Sequence, residues 1–292
     1  MRVQSILQPL TLAVATPPAP PAGSATLFFK LLAGSTMLAV MGPSGLDAAL
    51  QTSLARNDVG YWRPQGNSVV VPGVLGYTAP TIVGTPTARN VATTNFYTRL
   101  CRLGYVSAAT AAAFAESRVA AAQVTIGAGA GVGGFLKVVR FGISDAAAVA
   151  GARMFVGVSS NTAAATNVEP ATLLNSIGVG HGAADTNLKI FFGGSAAQAP
   201  IDLGANFPAN TRSVDAYELA LFASTENGNV GWAVTRLNTG AVASGTLTAA
   251  TAGTQLPLNT TLLSYHKAWR CNNATALAVG LDIMSDYIET EN

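Results

Sequence analysis

Two histidines, fourteen carboxylates and two cysteines are the groups in this 292-residue chain that could do acid–base or nucleophilic chemistry. His181 sits between glycines in GVGHGAAD, a strand end or loop, and reads as a polar histidine satisfied by its neighbours. His266 sits in LLSYHKAWR, a strand with an aromatic and basic edge. A Ser–His–Asp arrangement would need a presented nucleophile, and no G-x-S-x-G elbow occurs. A glycosidase would need two carboxylates facing one bond across a cleft. Asp215 and Glu218 are close, but three apart on a strand they point to opposite faces and do not pair. The carboxylates therefore read as solvated charges at strand ends.

Metal and cofactor chemistry find little support. SDAAAV and HGAADTN lack the dense alternating oxygens of a calcium loop. Cys101 and Cys271 form no C-x-x-C and no Cys/His cluster, which argues against structural zinc. They are expected to be buried free thiols rather than a disulfide. The run IGAGAGVGGF has closely spaced glycines, but the β-like FLKVVRF follows where a dinucleotide fold needs a helix. It reads as a loop between strands. No catalytic residue, metal or cofactor is expected.

The aromatic residues carry the positive signal. Tyr61 and Trp62 precede Arg63, and Tyr265, Trp269 and Arg270 lie near the end of the chain. Exposed rings stack on sugar faces, and Arg or Asn then fixes the hydroxyls; the same rings also fill sandwich cores. Trp232, mid-strand among Val and Ala, is expected in the core.

The elements that would position these groups are strands. Charged residues make up 10% of the chain, against about 25% in ordinary soluble domains, so the surface is polar but nearly neutral. A net charge of +2 with scattered Lys and Arg excludes a nucleic-acid footprint. Mean hydropathy is +0.36, yet no apolar run is long enough for a membrane span. The N-terminal MRVQSILQPLTLAVA is interrupted by Gln8 and Pro9, and a short strand at 5–15 is expected rather than a cleaved signal.

Residues 16–24, TPPAPPAGS, form a semi-rigid tether, so 1–24 is read as an attachment strand plus tether. A hairpin follows, with strands at 25–32 and 36–41 and a turn at Ala33–Gly34–Ser35. Helical spacing of Leu46, Ala49, Leu50 and Leu54 predicts a short helix over 46–56, and 25–60 is read as an oligomerisation unit. Residues 61–121 read as a connector and the start of a larger domain, with a helix or ordered loop over 107–121. From 122 to 292 the pattern is β. Strands are expected at 123–126, 134–143, 152–159, 174–180, 188–192, 215–223, 230–237, 243–247, 261–270 and 275–287. In FLKVVRFGI, Phe135, Lys137, Val139 and Phe141 share a face; in GWAVTRLNTG, Trp232, Val234 and Arg236 do. Many short strands with few helices between them imply an all-β fold, an antiparallel jelly-roll-like β-sandwich.

Two stretches carry a resemblance. ATLFFKLLAGSTMLAVMGPSG resembles a motif near the N-terminus of tailed-bacteriophage fibre and tail proteins: a proline-bearing lead, small-x-aromatic-x-Lys, a short turn, a second strand and a glycine turn. The segments from FLKVVRFGIS to ALAVGLDIMSDYIET resemble the C-terminal β-domain of phage tail and fibre proteins. The resemblance implies a virion protein, a homotrimer whose N-terminal part joins other virion proteins and whose sandwich faces outward. Three hairpins around a threefold axis would then bury Phe28, Leu31, Met37, Leu38, Val40 and Met41. The tip is expected to bind a bacterial surface polysaccharide or lipopolysaccharide through Tyr265, Trp269, Arg270 and His181. A non-adhesive capsid decoration or head-fibre protein is the rival reading. A capsule depolymerase is less favoured, because the chain lacks a β-helix period.

Overall fold

Two residues set the first hairpin. Ala33 and Gly34 both have positive φ, 49° and 85°, the backbone a two-residue primed turn requires. The turn joins β1 (Thr26–Leu32) to β2 (Ser35–Met41) with Leu32 opposite Ser35, one residue tighter than expected. The computed structural model describes residues 16–43, 47–49, 58–71, 75–129, 131 and 133–290. β3 (Asp47–Ala49) adds to the edge of β2, where the sequence predicts the start of a helix. An open row of backbone donors and acceptors on β2 gives these residues partners that outweigh helix spacing. The rest of the predicted helix, and the predicted strand at 5–15, lie outside the described residues.

The sandwich takes in far more of the chain than 122–292. Its strands are β4 (Asp58–Trp62), β5 (Thr81–Val83), β6 (Thr85–Ala88), then, past the one-turn helix α1 (Phe96–Arg99), β7 (Leu103–Val106) and β8 (Phe114–Arg118). They continue as β9 (Phe135–Ile143), β10 (Arg153–Ser159), β11 (Ser176–His181), β12 (Lys189–Gly193), β13 (Ile201–Asp202) and β14 (Tyr217–Ala223). The last are β15 (Val230–Arg236), β16 (Ala241–Leu247), β17 (Ser264–Cys271) and β18 (Gly280–Thr290). One sheet has seven strands in the order β13-β12-β11-β10-β17-β8-β5. The other has eight, β16-β15-β14-β9-β18-β7-β6, with β4 also on β18. Neighbouring strands pair antiparallel throughout, so the chain is an all-β antiparallel sandwich of jelly-roll type.

The predicted helix or loop over 107–121 contains strand β8. Its alanines have helix propensity, but tertiary context overrides it: Ala115 and Ser117 alternate with Glu116 between two partner strands, β17 and β5. The Val124 end of the expected strand at 123–126 makes only a single bridge, to Leu263.

The core lies between the sheets. Val139, Phe141, Leu219, Leu221, Trp232 and Val234 project from one sheet, and Met154, Val156, Val158, Ile177, Val179 and Ala268 from the other. Each large apolar side chain fully buried here contributes about 1.5–3 kcal/mol. A β-bulge shapes what else enters this layer. Ile283 pairs with Phe141 but Ser285 with Arg140, so Met284 is extra. The inserted residue inverts the alternation beyond it and turns Asp286 inward, beside Val139.

The hairpin rests by its turn on the outer face of the eight-stranded sheet. Ala33 is buried there against Ala220 and Ala233, with Val138 and Phe222 packed alongside. Small residues make this approach possible: a Cβ on Gly231 would lie 1.8 Å from the Ala33 carbonyl oxygen. The six hairpin residues expected at one interface divide between two faces, because strand side chains alternate. Phe28, Met37 and Met41 share one face, where Phe28 and Met41 are buried with Ala39. Leu31, Leu38 and Val40 share the other with Leu27, and Leu27 and Leu31 are each 54% exposed.

Candidate functional site

β17 places three of the expected receptor-binding residues, Tyr265, Trp269 and Arg270, and β11 places the fourth, His181; alternation separates Trp269 from Arg270. Trp269 pairs with Phe155 on the outer face of the seven-stranded sheet, while its neighbours Ala268 and Arg270 point into the sandwich. No single platform can therefore hold both Trp269 and Arg270. Arg270 is fully buried and grips Asp145 with Nε–Oδ1 at 2.9 Å and Nη2–Oδ2 at 2.6 Å. Its Nη1 donates to His181 Nε2 at 2.7 Å, and its Nη2 donates to Asn210 Oδ1 at 3.1 Å. His181 Nδ1 donates in turn to the Gly182 carbonyl at 3.1 Å. Burial, then the Arg270 guanidinium, push the His181 imidazole down to about 3, so it is the neutral acceptor this bond needs. Arg270 and His181 do meet, but inside the core. Tyr265 is buried too, edge-on to Tyr77 at 5.0 Å between ring centroids, and its hydroxyl accepts from Thr78 N at 3.2 Å. Three of the four residues thus hold the sandwich together, and the expected exposed ring edge is absent because both faces of this sheet are covered.

A hydroxyl–imidazole–carboxylate line also forms in the core, one that no sequence motif announces. Ser117 Oγ lies 3.0 Å from His266 Nε2, and His266 Nδ1 meets Asp286. Asp286 also accepts from Lys137 Nζ at 2.6 Å and from Tyr77 OH at 2.6 Å. The order of atoms is that of a nucleophilic triad, but Ser117, His266 and Asp286 are all buried between the sheets. A nucleophile sealed from substrate does no chemistry; the network instead ties β8 and β17 to β9 and β18 across the core. Among the described residues no group of three His, Cys, Asp or Glu side chains could hold a metal ion, and no helix is long and apolar enough to cross a membrane.

Trp269 leads to the candidate site. Residues 160–175, with a 3-10 turn at Pro170–Thr172, fold over the outer face of β10, β11 and β17. Beneath them Phe155, Phe191, Trp269 and Cys271 form a second apolar cluster, with Phe114, Ala165 and Leu173 against it. Glu116, wholly buried, fastens the segment. It accepts from Ala165 N at 3.1 Å, Arg118 Nη1 at 3.1 Å and Lys267 Nζ at 2.8 Å. Arg118 Nε and Lys267 Nζ then donate to the carbonyls of Thr162 and Ala163.

The segment does not close fully on the sheet. A cavity of about 260 Å³ remains, with Phe155 and Trp269 at its floor. Its wall carries Ser159, Ser160, Asn161, Thr166, Thr172 and Lys267. The hydroxyls are oriented: Ser176 Oγ donates to the Leu174 carbonyl, so Ser159 Oγ donates to Ser176, and Asn161 N donates to Ser159 Oγ at 3.1 Å. A volume below the roughly 300 Å³ where drug-sized sites begin suits a single small ring. Phe155 and Trp269 are 0% and 1% exposed, so the surface the cavity offers is its rim of Ser160, Asn161, Thr166 and Thr172, whose hydroxyls and amide suit a polyhydroxylated ring. A larger hollow, about 470 Å³, lies where Thr36 and Met37 of the hairpin face Phe135 and Phe222, and it belongs to the hairpin contact.

Sequence reasoning reached Trp269 but missed Phe155, Ser159, Lys267 and Glu116. The signal was present in the second face of RMFVGVSS, where Phe155, Gly157 and Ser159 alternate with the core residues Met154, Val156 and Val158.

No protein-family model matches the chain, and no curated protein matches it. Solved structures do. Peanut lectin superimposes with a TM-score of 0.50 at 12% identity, covering 81% of this chain and 98% of the lectin. A Shewanella oneidensis MR-1 protein of unknown function gives 0.48 at 16% identity, over 82% of this chain and 90% of its own. Lectin II from Ulex europaeus gives 0.48 at 11% identity, over 80% and 97%. At such identities the likeness is one of fold: a lectin-like β-sandwich.

Proposed function

We propose that this protein binds a glycan in the cavity over Phe155 and Trp269, and that it does so as the outward tip of a homotrimeric bacteriophage fibre or tail protein recognising a bacterial surface polysaccharide. The observation that carries the reading is the cavity itself: an accessible rim of Ser160, Asn161, Thr166 and Thr172 above the buried Phe155 and Trp269, on a sandwich whose fold is that of lectins. Fixed polar groups at the rim give a bound sugar its orientation. The reading is one of binding; the triad-like line Ser117–His266–Asp286 is buried between the sheets and takes no part in it. The virion setting rests on the resemblance of the hairpin and the C-terminal segments to tailed-phage proteins. Three weak sites on one trimer would raise avidity without new contacts.

The test is a bacterial glycan array probed with the labelled full chain and with Thr172→Trp, which places a bulky ring on an exposed cavity residue outside the core. Signal on a restricted glycan set, lost in the variant, is the expected result. Signal retained in the variant would move the site elsewhere. Absence of signal from the folded wild type would favour the decoration-protein reading, which adsorption to host cells then decides.

A further inference from the structure

The edges of the sandwich are not treated alike. β13 has two residues, and Asp202 on it is exposed and accepts from the Gly204 amide at 2.7 Å. β5 has three residues, β6 has four with Pro86 among them, and the free side of β4 bridges to Leu75 through Tyr61. Short strands, proline and charge are the devices that keep a sheet edge from pairing with another chain. β16 carries none of them. It runs for seven residues, AVASGTL, with no proline and no charge. Among the described residues its backbone bonds to β15 alone, apart from the Ala241 amide, which reaches Thr239 Oγ1 at 3.4 Å. The amides and carbonyls on its outer side are left for another strand.

The side chains of β16 fit a second copy of β16. Val242, Ser244 and Thr246 stand exposed on the outer face, Val242 by 62%. Ala241 and Ala243 turn inward and are only partly buried against the core, which ends at this edge. Residues opposite each other in an antiparallel pair share a face, so a strand pairs with its own copy about a two-fold axis through one residue. Centred on Ser244, that register uses all seven residues. Val242 then faces Thr246, Ala243 faces Gly245, and Ser244 faces its own copy. Small and β-branched side chains meet, and no like charges are opposed. The added strand would continue the inner layer past Ala241 and Ala243.

We infer that β16 is a two-fold seam between copies of this chain, joining two eight-stranded sheets edge to edge into one. The seam is seven residues long on each side, so it couples units reversibly, single chains or the proposed trimers alike. It stands apart from the glycan-binding reading and uses none of the cavity residues.

The experiment is sedimentation velocity of the full chain from about 1 to about 100 μM, the range in which weak association comes and goes. The wild-type mass should double with concentration. Val242→Lys with Thr246→Lys alters two exposed side chains and sets like charges face to face, and the doubling should vanish. Val242→Lys with Thr246→Glu sets opposite charges face to face in the same register and should restore it. A second measurement reads the register directly, in a Cys101→Ser background. Ser244→Cys should form an intermolecular disulfide under mild oxidation, because self-opposed residues have Cα atoms about 4.5–5.5 Å apart. Val242→Cys should not, since its two copies lie about 13 Å apart along the strands. A wild-type mass that stays constant would overturn the seam. So would doubling that survives the two lysines, or cross-linking at Val242→Cys as fast as at Ser244→Cys.

Discussion

Asp286 of β18 and His266 of β17 belong to opposite sheets, and the carboxylate of one meets Nδ1 of the other between them. Burial alone would raise the Asp286 pKa, but Lys137 and His266 outweigh it and hold the carboxyl below its ordinary value. The group is the hub of a core network reaching Lys137, Tyr77 and, through His266, Ser117. Asp286→Asn leaves Lys137 buried without its counter-charge. The expected loss is about 3–5 kcal/mol, read from urea unfolding at pH 7. Replacing both partners, Lys137→Met with Asp286→Leu, should cost less than Asp286→Asn alone, because no orphan charge remains. A double variant as unstable as the single one would deny the pair that role.

The histidines make the fold acid-sensitive in a defined window. His181 titrates at about 3 in the folded chain, through burial first and Arg270 second. Unfolded, it takes its proton near pH 6.5. Between those values the unfolded state binds the extra proton, so stability falls as pH falls, by about 1.4 kcal/mol per unit for this group. His266 is lowered too, chiefly by burial, and adds to the slope. Asp286, with its lowered pKa, contributes stability above the unfolded carboxylate value of about 3.9 and loses it only as pH falls further. The range from pH 6.5 to 4 therefore belongs to the histidines. Urea midpoints at pH 7, 5.5 and 4 should converge in His181→Gln relative to wild type, since Gln still accepts from Arg270 but does not titrate. Parallel slopes in the two proteins would refute the assignment.

How much of this was legible in the sequence depends on which face of a strand carried it. Phe135, Lys137, Val139 and Phe141 share one face, as the alternation in FLKVVRFGI predicts, and that face is the inner one; Trp232 lies in the core as expected, with Val234 beside it. Lys137 in that inward set was the visible sign of a buried counter-charge, but its partner stayed hidden. Asp286 faces inward only because Met284 is an inserted residue, and a bulge leaves no mark in the pattern. β5 to β8 were missed because short Thr-, Gly- and Ala-rich strands lack an apolar period of their own. Glu116 read as a solvated carboxylate; its burial comes from residues about 50 and 150 positions away, Ala165 and Lys267.

Glu116→Ala should open the candidate site. The variant removes the acceptor shared by Ala165 N, Arg118 and Lys267, leaving two cations against each other under residues 160–175. A loss of about 3 kcal/mol is expected from the unpaired buried charges. Hydrogen exchange gives the sharper reading: the Ala165 amide and its neighbours should lose protection while β9 and β14 keep theirs. Uniform loss of protection would mean that Glu116 supports the whole sandwich rather than this segment.

Gly231→Ala should release the hairpin while sparing the sandwich. The new Cβ would fall 1.8 Å from the Ala33 carbonyl oxygen, a backbone atom that cannot step aside. Ala33, Ala220 and Ala233 form only a small apolar cluster, so undocking costs the core little. Limited proteolysis should then cut within residues 16–43 of the variant but not of the wild type, with the thermal midpoint lowered by only a few degrees, as a change of about 1 kcal/mol implies. Cleavage patterns that match would show that the turn does not depend on this seat.

The proposed trimer is tested by the two faces of the hairpin. Phe28 and Met41 are already buried within their own sheet, so substituting them disturbs the hairpin itself. Leu27 and Leu31 are half exposed on the opposite face, next to Leu38 and Val40 in the cross-strand register. A seam between copies would therefore use the Leu27–Leu31 face. Leu27→Lys with Leu31→Lys places two charges there without altering a buried side chain. Native mass spectrometry should show the wild type as a trimer and the double variant as a monomer with an unchanged circular dichroism spectrum. A variant that remains trimeric would locate the seam in the sandwich and leave the hairpin as a docking element for a different protein. A monomeric wild type would sink the threefold arrangement, and with it the avidity on which weak single sites depend.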